Sequence, residues 1–155
     1  MNRPIIDLMD DKISQLERYN EVTTQIISED IDSVGDLIEE RQRIITAMDG
    51  ISVDIKEFIN SQSIERKDTL NKLMRFEEIG QLNGEMLELQ DKIRRVKALR
   101  EEIMKNDRQA VNRLVRERDE LKEKLEGAAK SKQVVNYFSQ SAVDITKGSR
   151  FNVSN

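Results

Sequence analysis

The 155-residue sequence contains no cysteine, histidine or tryptophan, and aromatic residues make up only 4% of it. Without cysteine and histidine it has no thiol nucleophile, no imidazole base, no disulfide and none of the usual zinc ligands. Carboxylate pairs on one helix face, such as Glu85 with Glu88, are the remaining candidates for chemistry, and the sequence offers them no water-poor cleft. We therefore expect no enzyme activity, no catalytic residue, no cofactor and no metal site.

Long apolar runs are also missing from the sequence. No stretch approaches the roughly 18 apolar residues of a membrane-spanning helix. Residues 1–12 interleave Ile5, Leu8 and Met9 with aspartates, so they lack the apolar run of a signal peptide. We expect no membrane insertion and a cytoplasmic location.

Apolar residues spaced by three and four, in a chain that is 36% charged, predict an all-α fold. The expected architecture is an antiparallel helical bundle or coiled coil of three to four long helices, with a partly flexible C-terminal tail. The helical bundle is expected over residues 1–127 and the tail, with a short apolar segment at 134–138, over residues 128–155. The predicted helices are 5–28, 33–60, 64–104 and 107–127.

The boundary between the last two predicted helices depends on an internal comparison. Sliding the sequence by 77 positions aligns the run starting at Leu37 with the run starting at Leu114, and Asn106 with Gln109 resembles a capping box. This favours a turn near Asn106, although one continuous helix from residue 64 to 126 is the alternative. A long third helix would leave apolar heptad surface between Leu82 and Val96 for a second subunit, so we expect a homo-oligomer.

Charge is divided unevenly along the chain. Residues 1–91 carry 10 Lys/Arg and 21 Asp/Glu, whereas residues 92–118 carry 10 and 4. The favoured interpretation is pairing between the acidic and basic parts of the chain. The other is a nucleic-acid surface around a basic cluster at Lys92, Arg94, Arg95, Lys97 and Arg100. No aromatic residue lies between Phe76 and Tyr137 to stack on bases, so we do not expect nucleic-acid binding.

The apolar residues of the tail have two interpretations. They form one more helical turn on the bundle, or a docking segment that exchanges between the bundle and a partner. The candidate partner-binding residues lie in the last predicted helix and in the tail: Leu114, Leu121, Leu125, Val134, Val135, Tyr137 and Phe138.

Residues 19–27, 30–34 and 37–45, which include the runs Tyr19-Asn20-Glu21-Val22 and Leu37-Ile38-Glu39-Glu40-Arg41, resemble the opening hairpin of a known family. The family is that of flagellar type III export chaperones of the FlgN and FliT type. The Lys-rich link that leads to Val134-Val135-Asn136-Tyr137 is also similar to that group. The length of the third helix and the basic cluster are departures from the family pattern.

The resemblance implies a cytoplasmic all-α chaperone of bacterial flagellum biogenesis. Such a protein binds a hook-associated or filament-cap subunit, that is, a flagellar axial protein, and delivers it to the export apparatus. The positions that would bind the partner are the stripe from Leu114 to Leu125, and Tyr137 would contact an export-gate component. The alternative function is a structural coiled-coil oligomer or scaffold without an exchanging client.

Overall fold

The structure, a computed structural model, describes residues 3–82 and 84–151, with side chains described as far as Lys132. The described residues form helices and no strand, which confirms the all-α prediction. The helices are α1 (Ile5–Ser28), α2 (Val34–Asn60), α3 (Ile64–Met74) and α4 (Gly84–Phe151), and a 3-10 turn at Ile31–Ser33 joins α1 to α2. The chain divides into two compact units, Met1–Arg113 and Leu114–Asn155.

The first two helices have the predicted bounds to within one residue. Pro4 is the N-cap residue of α1, a place where its fixed φ and missing N–H are tolerated. Along α1 the buried apolar residues follow a helical spacing, with buried Lys12 in the gap between Met9 and Leu16: Ile5, Leu8, Met9, Leu16, Tyr19, Val22 and Ile26. This spacing places them on one side of the helix, which α2 and the first part of α4 cover.

Cross-helix contacts fix the directions of the packed helices. Arg18 on α1 pairs with Glu40 on α2 at 3.4 Å. Asp54, further along α2, is close enough to Arg3, just before α1, for its negative charge to contribute to the raised pKa of that guanidinium. These pairs run in opposite order along the two helices, so α1 and α2 are antiparallel. Contacts from α1 to α4 advance in the same order on both helices, so those two are parallel: Asp10 with Lys92, Asn20 with Glu102, and the Ile26 carbonyl with Arg113.

The predicted helix over residues 64–104 is wrong in its middle. Helix α3 begins after Ser63, whose hydroxyl accepts the backbone N–H of Arg66, and ends at Met74. Before α4 starts at Gly84, Phe76 and Gln81 both have a φ of 62°, which lies in the left-handed region. Two such residues turn the backbone out of the helical path, although the apolar spacing continues through this loop.

The predicted turn near Asn106 is also wrong, because α4 is helical on both sides of that residue. The Asn106 side chain donates to the Asn20 Oδ1 atom at 2.7 Å instead of capping a helix. The helix also continues past Gly127, where the last predicted helix ended. Residues 128–130 are Ala-Ala-Lys, which are strong helix formers, so a single glycine does not end the helix.

Much of the apolar surface between Leu82 and Val96, expected to contact a second subunit, is covered within the first unit, although Leu82 and Met86 are only half-buried. Leu89, Ile93 and Val96 are 0%, 4% and 2% exposed. Further along α4 the buried position is Leu99 and not Arg100, which is exposed. The buried stripe of α4 therefore takes a step of three residues from Val96 to Leu99 and continues four residues later at Ile103.

Arg41, on α2, links α2 to α1 and to α4 in this unit. Its guanidinium carbon lies 4.5 Å from the centroid of the Tyr19 ring, and it donates a hydrogen bond to the Tyr19 hydroxyl. It also lies 3.2 Å from the Asp107 Oδ1 atom on α4, which is buried and has no hydrogen-bond partner. The positive charge of Arg41 therefore offsets the cost of burying the Asp107 oxygen.

We expect Arg41→Leu to lower the free energy of unfolding by about 2 kcal/mol, because it leaves the buried Asp107 oxygen without a counter-charge. Urea denaturation followed by circular dichroism measures the change. The control is Arg43→Leu, which removes an exposed pair with Glu40 and should change little. Equal losses in the two variants would contradict the linking role of Arg41.

Candidate functional site

The candidate partner-binding surface lies on α4 in the second unit. Leu121 and Leu125 are 58% and 63% exposed, and Leu114 is half-buried. Separations of seven and four residues place these three leucines on one face of the helix. We call this surface the α4 face. Val115, 40% exposed, stands at its edge.

Charged side chains of both signs surround the α4 face. All side chains from Arg118 to Lys132 are exposed, and Arg118 pairs with Asp119 at 3.3 Å. Glutamate precedes lysine by four residues at Glu120 with Lys124 and at Glu126 with Lys130, an arrangement that stabilises a solvated helix. The helix therefore has local support here, and its apolar side chains remain available.

The predicted tail residues extend the same helix. Val134, Val135, Tyr137 and Phe138 fall within the α4 backbone, and their side chains lie outside the described ones. Of the seven predicted partner-binding residues, the structure thus describes the side chains of the three leucines and brings them to one face. Partner binding at all seven stays a prediction.

Pairing within the chain is confirmed for much of the basic cluster. Lys92 donates to Asp10, Arg94 to Glu78 and Arg95 to Glu17, at 2.5, 2.8 and 3.5 Å. The hydrogen bond to Asp10 raises the pKa of Lys92, and the hydrogen bond from Arg94 lowers the pKa of the Glu78 carboxyl. These cations already have carboxylate partners, which removes much of the positive field that a nucleic acid would need.

The remaining candidates for chemistry are engaged in similar ion pairs. Glu85 lies 3.3 Å from Arg66, and Glu88 lies 3.9 Å from Lys92. Within residues 3–82 and 84–132, no three acidic side chains come together in an arrangement that could hold a metal ion. No helix in the described part of the chain has the apolar length to cross a membrane.

A second site, which was not among the sequence predictions, lies in the first unit, where Lys12 and Arg100 line one cavity with apolar side chains. Lys12 is 9% exposed, which is unusual for a lysine. A sequence signal was present, because Lys12 lies four residues from both Leu8 and Leu16 and so occupies the buried stripe of α1. The apolar residue next to it, Ile13, is only half-buried.

Comparisons with known proteins identify no relative of this chain. No protein-family profile, curated protein or solved structure matches the chain. The α4 face and the resemblance of residues 19–45 are therefore the basis for a functional proposal.

Proposed function

We propose that the protein is a cytoplasmic export chaperone whose α4 face binds the amphipathic helical end of a flagellar axial subunit. The observation that carries this proposal is the exposure of Leu121 and Leu125, at 58% and 63%, at helical spacing. The flagellar client, a hook-associated or filament-cap subunit, is inferred from the resemblance of residues 19–45. Delivery to the type III export apparatus is inferred in the same way.

The contrast along α4 supports a binding role for the α4 face. The large apolar side chains from Leu89 to Ile103 are covered by the other helices of their unit, whereas Leu121 and Leu125 contact mainly solvent. Burying what remains exposed of these two leucines would contribute about 2 kcal/mol to binding. Apolar side chains separated by four and seven residues have the spacing through which one amphipathic helix binds another.

The charges around the α4 face would set the orientation of the partner. Arg118 and Lys122 alternate with Asp119 and Glu123, so a client helix with an ordered charge pattern pairs well in only one register. Val134, Val135 and Phe138 complete the proposed partner-binding set further along the same helix. Tyr137 would contact the export gate, as the resemblance implies.

The test is titration calorimetry of the full chain with purified hook-associated and filament-cap subunits. We expect Leu121→Asp combined with Leu125→Asp to weaken client binding by about tenfold or more, because two carboxylates would have to be buried against an apolar helix. The matched control is Arg116→Gln combined with Lys130→Gln. These exposed residues lie on the opposite side of α4, and each change also lowers the net charge by one.

Two results would contradict the proposal. One is unchanged client binding by the Leu121→Asp, Leu125→Asp variant. The other is a full chain that binds no axial subunit and sediments as a stable oligomer that this variant dissociates. The second result would establish the structural coiled-coil alternative, with another copy of the chain on the α4 face.

A further inference from the structure

Among the residues of the first unit that the structure describes, Lys12 is a buried cation without a counter-ion. Its side chain is 9% exposed, and its nearest acidic neighbours along the chain are engaged elsewhere. Asp10 pairs with Lys92, and Asp11 pairs with Arg3 at 2.6 Å. No ion pair among the described residues includes Lys12. A buried ammonium group of this kind lacks the negative partner that would offset its desolvation.

The surroundings of Lys12 also disfavour its positive charge. Burial lowers the pKa of its ammonium group, and the positive charge of Arg100 lowers it further. Both causes disfavour the charged form, so the site favours the arrival of a negative charge. Arg100 is itself exposed, which places its guanidinium where the site meets solvent.

The two cations line an open cavity whose other walls are apolar. Its empty volume is about 380 Å³, including the part open to solvent. The cavity lies within the first unit, between α1, α4 and the end of α3 with the loop that follows it. The apolar lining comes from Met9, Met74, Phe76, Ile93 and Val96.

Phe76 gives one wall of this cavity a fixed position. Its φ of 62° is uncommon for a residue with a side chain, and the surrounding structure must hold it there. The Arg100 guanidinium carbon lies 5.9 Å from the centroid of the Phe76 ring. This cation–π contact orients the planar guanidinium beside an apolar surface.

We propose that this cavity, the Lys12 cavity, binds a small organic carboxylate with an apolar body. The carboxylate would lie between the Lys12 ammonium and the Arg100 guanidinium, whose planar donors match a carboxylate. The apolar body would contact the methionine, phenylalanine, isoleucine and valine side chains. Without the part open to solvent the cavity volume is about 120 Å³, smaller than a site for a drug-sized ligand, so the apolar body would be short, of about six carbons.

A neighbouring cavity on the other side of Phe76 shows what distinguishes the Lys12 cavity. Its lining includes Glu77, Glu78, Arg94 and Lys97, and Glu78 pairs with Arg94. Two carboxylates line that cavity and would repel an anion, so an anion gains little there. The unpaired positive charge is the feature that selects a carboxylate for the Lys12 cavity.

The test uses the full chain with methyl-labelled methionine and follows the Met9 and Met74 resonances by NMR during titration with hexanoate. We expect saturable shifts of both resonances. Lys12→Met removes the charge while keeping a flexible apolar side chain, and it should weaken hexanoate binding by about tenfold or more. The control Lys105→Met changes an exposed lysine on α4 and should leave the affinity unchanged.

Two further probes separate the parts of the proposed ligand. Hexanol has the apolar body without the charge, and acetate has the charge without the body, so both should bind more weakly than hexanoate. Equal binding of hexanol and hexanoate, equal binding of acetate and hexanoate, or unchanged binding by Lys12→Met would overturn the proposal. Absence of any saturable shift with hexanoate would do so as well. None of these outcomes depends on the proposed chaperone function.

Discussion

Proline at position 105 is expected to lower the free energy of unfolding by about 3 kcal/mol or more. Lys105 lies within α4, where its backbone N–H belongs to the helical hydrogen-bond ladder and its side chain is exposed. A proline ring there removes one hydrogen bond and clashes with the carbonyl of the residue four positions earlier. The effect tests whether α4 is continuous at the point where the sequence predicts a turn.

Urea denaturation of Lys105→Pro and Lys105→Ala, monitored by circular dichroism at the same protein concentration, gives the comparison. Alanine is the best helix former and should leave the stability nearly unchanged or slightly raised. If residues 105–106 formed a turn between two helices, proline would be tolerated there. A difference between the two variants below about 1 kcal/mol would therefore contradict the continuous helix.

Leu99→Ala is expected to lower the free energy of unfolding by about 3 kcal/mol, within the usual range for a buried leucine. Leu99 is 2% exposed among the packed helices of the first unit, so its loss leaves a cavity. Leu121→Ala, on the same helix but 58% exposed, is the matched control and should change stability by less than about 0.5 kcal/mol.

Thermal and urea unfolding of both alanine variants, fitted with a common two-state treatment, provides the measurement. The contrast between the two leucines tests the packing of the first part of α4. It also tests the exposure on which the chaperone proposal depends. Similar losses at the two positions would mean that Leu121 is packed, and the α4 face would then be unavailable to a client.

The bounds of α1 and α2 were accessible from the sequence because every local signal agrees there. Apolar residues recur at helical spacing through Ile26, and the run Asp30-Ile31-Asp32-Ser33 then interrupts the pattern. Short polar side chains of this kind compete with helical hydrogen bonding and favour helix boundaries. Local preference and tertiary packing lead to the same structure in this hairpin.

The loop between α3 and α4 was not predicted because its apolar residues continue the spacing of a helix. Phe76, Ile79 and Leu82 continue the apolar spacing of a helix, although the loop does not follow a helical path. Gly80 and Gly84 were the residues in this segment that favour a break in the helix. The left-handed conformations at Phe76 and Gln81 had no sequence signal, because the residue type there is not the glycine that such a φ favours.

The turn expected near Asn106 failed for a different reason. Asparagine and aspartate are typical of helix starts, but here Asn106 contacts Asn20 and Asp107 pairs with Arg41. These polar residues connect helices that are far apart in the sequence. Sequence spacing along one helix does not contain that information, so a cross-helix contact looked like a cap.

The candidate sites differ in how far the sequence could reveal them. The spacing of Leu114, Leu121 and Leu125 predicts a shared face, whereas the exposure of that face depends on which helices cover the rest of α4. Lys12 lies at stripe spacing and could have been recognised as a buried lysine. Its meeting with Arg100 and Phe76 requires the parallel packing of α1 and α4, which the sequence does not encode locally.

The exposed stretch of α4 over residues 118–132 has a consequence for hydrogen exchange. Its backbone is held by hydrogen bonds within the helix, and a helix supported mainly by local interactions opens readily. Amide hydrogens in this stretch therefore exchange through local opening, whereas those near Leu89 and Val96 require the packed unit to open. A partner bound at Leu121 and Leu125 would protect those amides, and its affinity would include the free energy of ordering the helix beneath it.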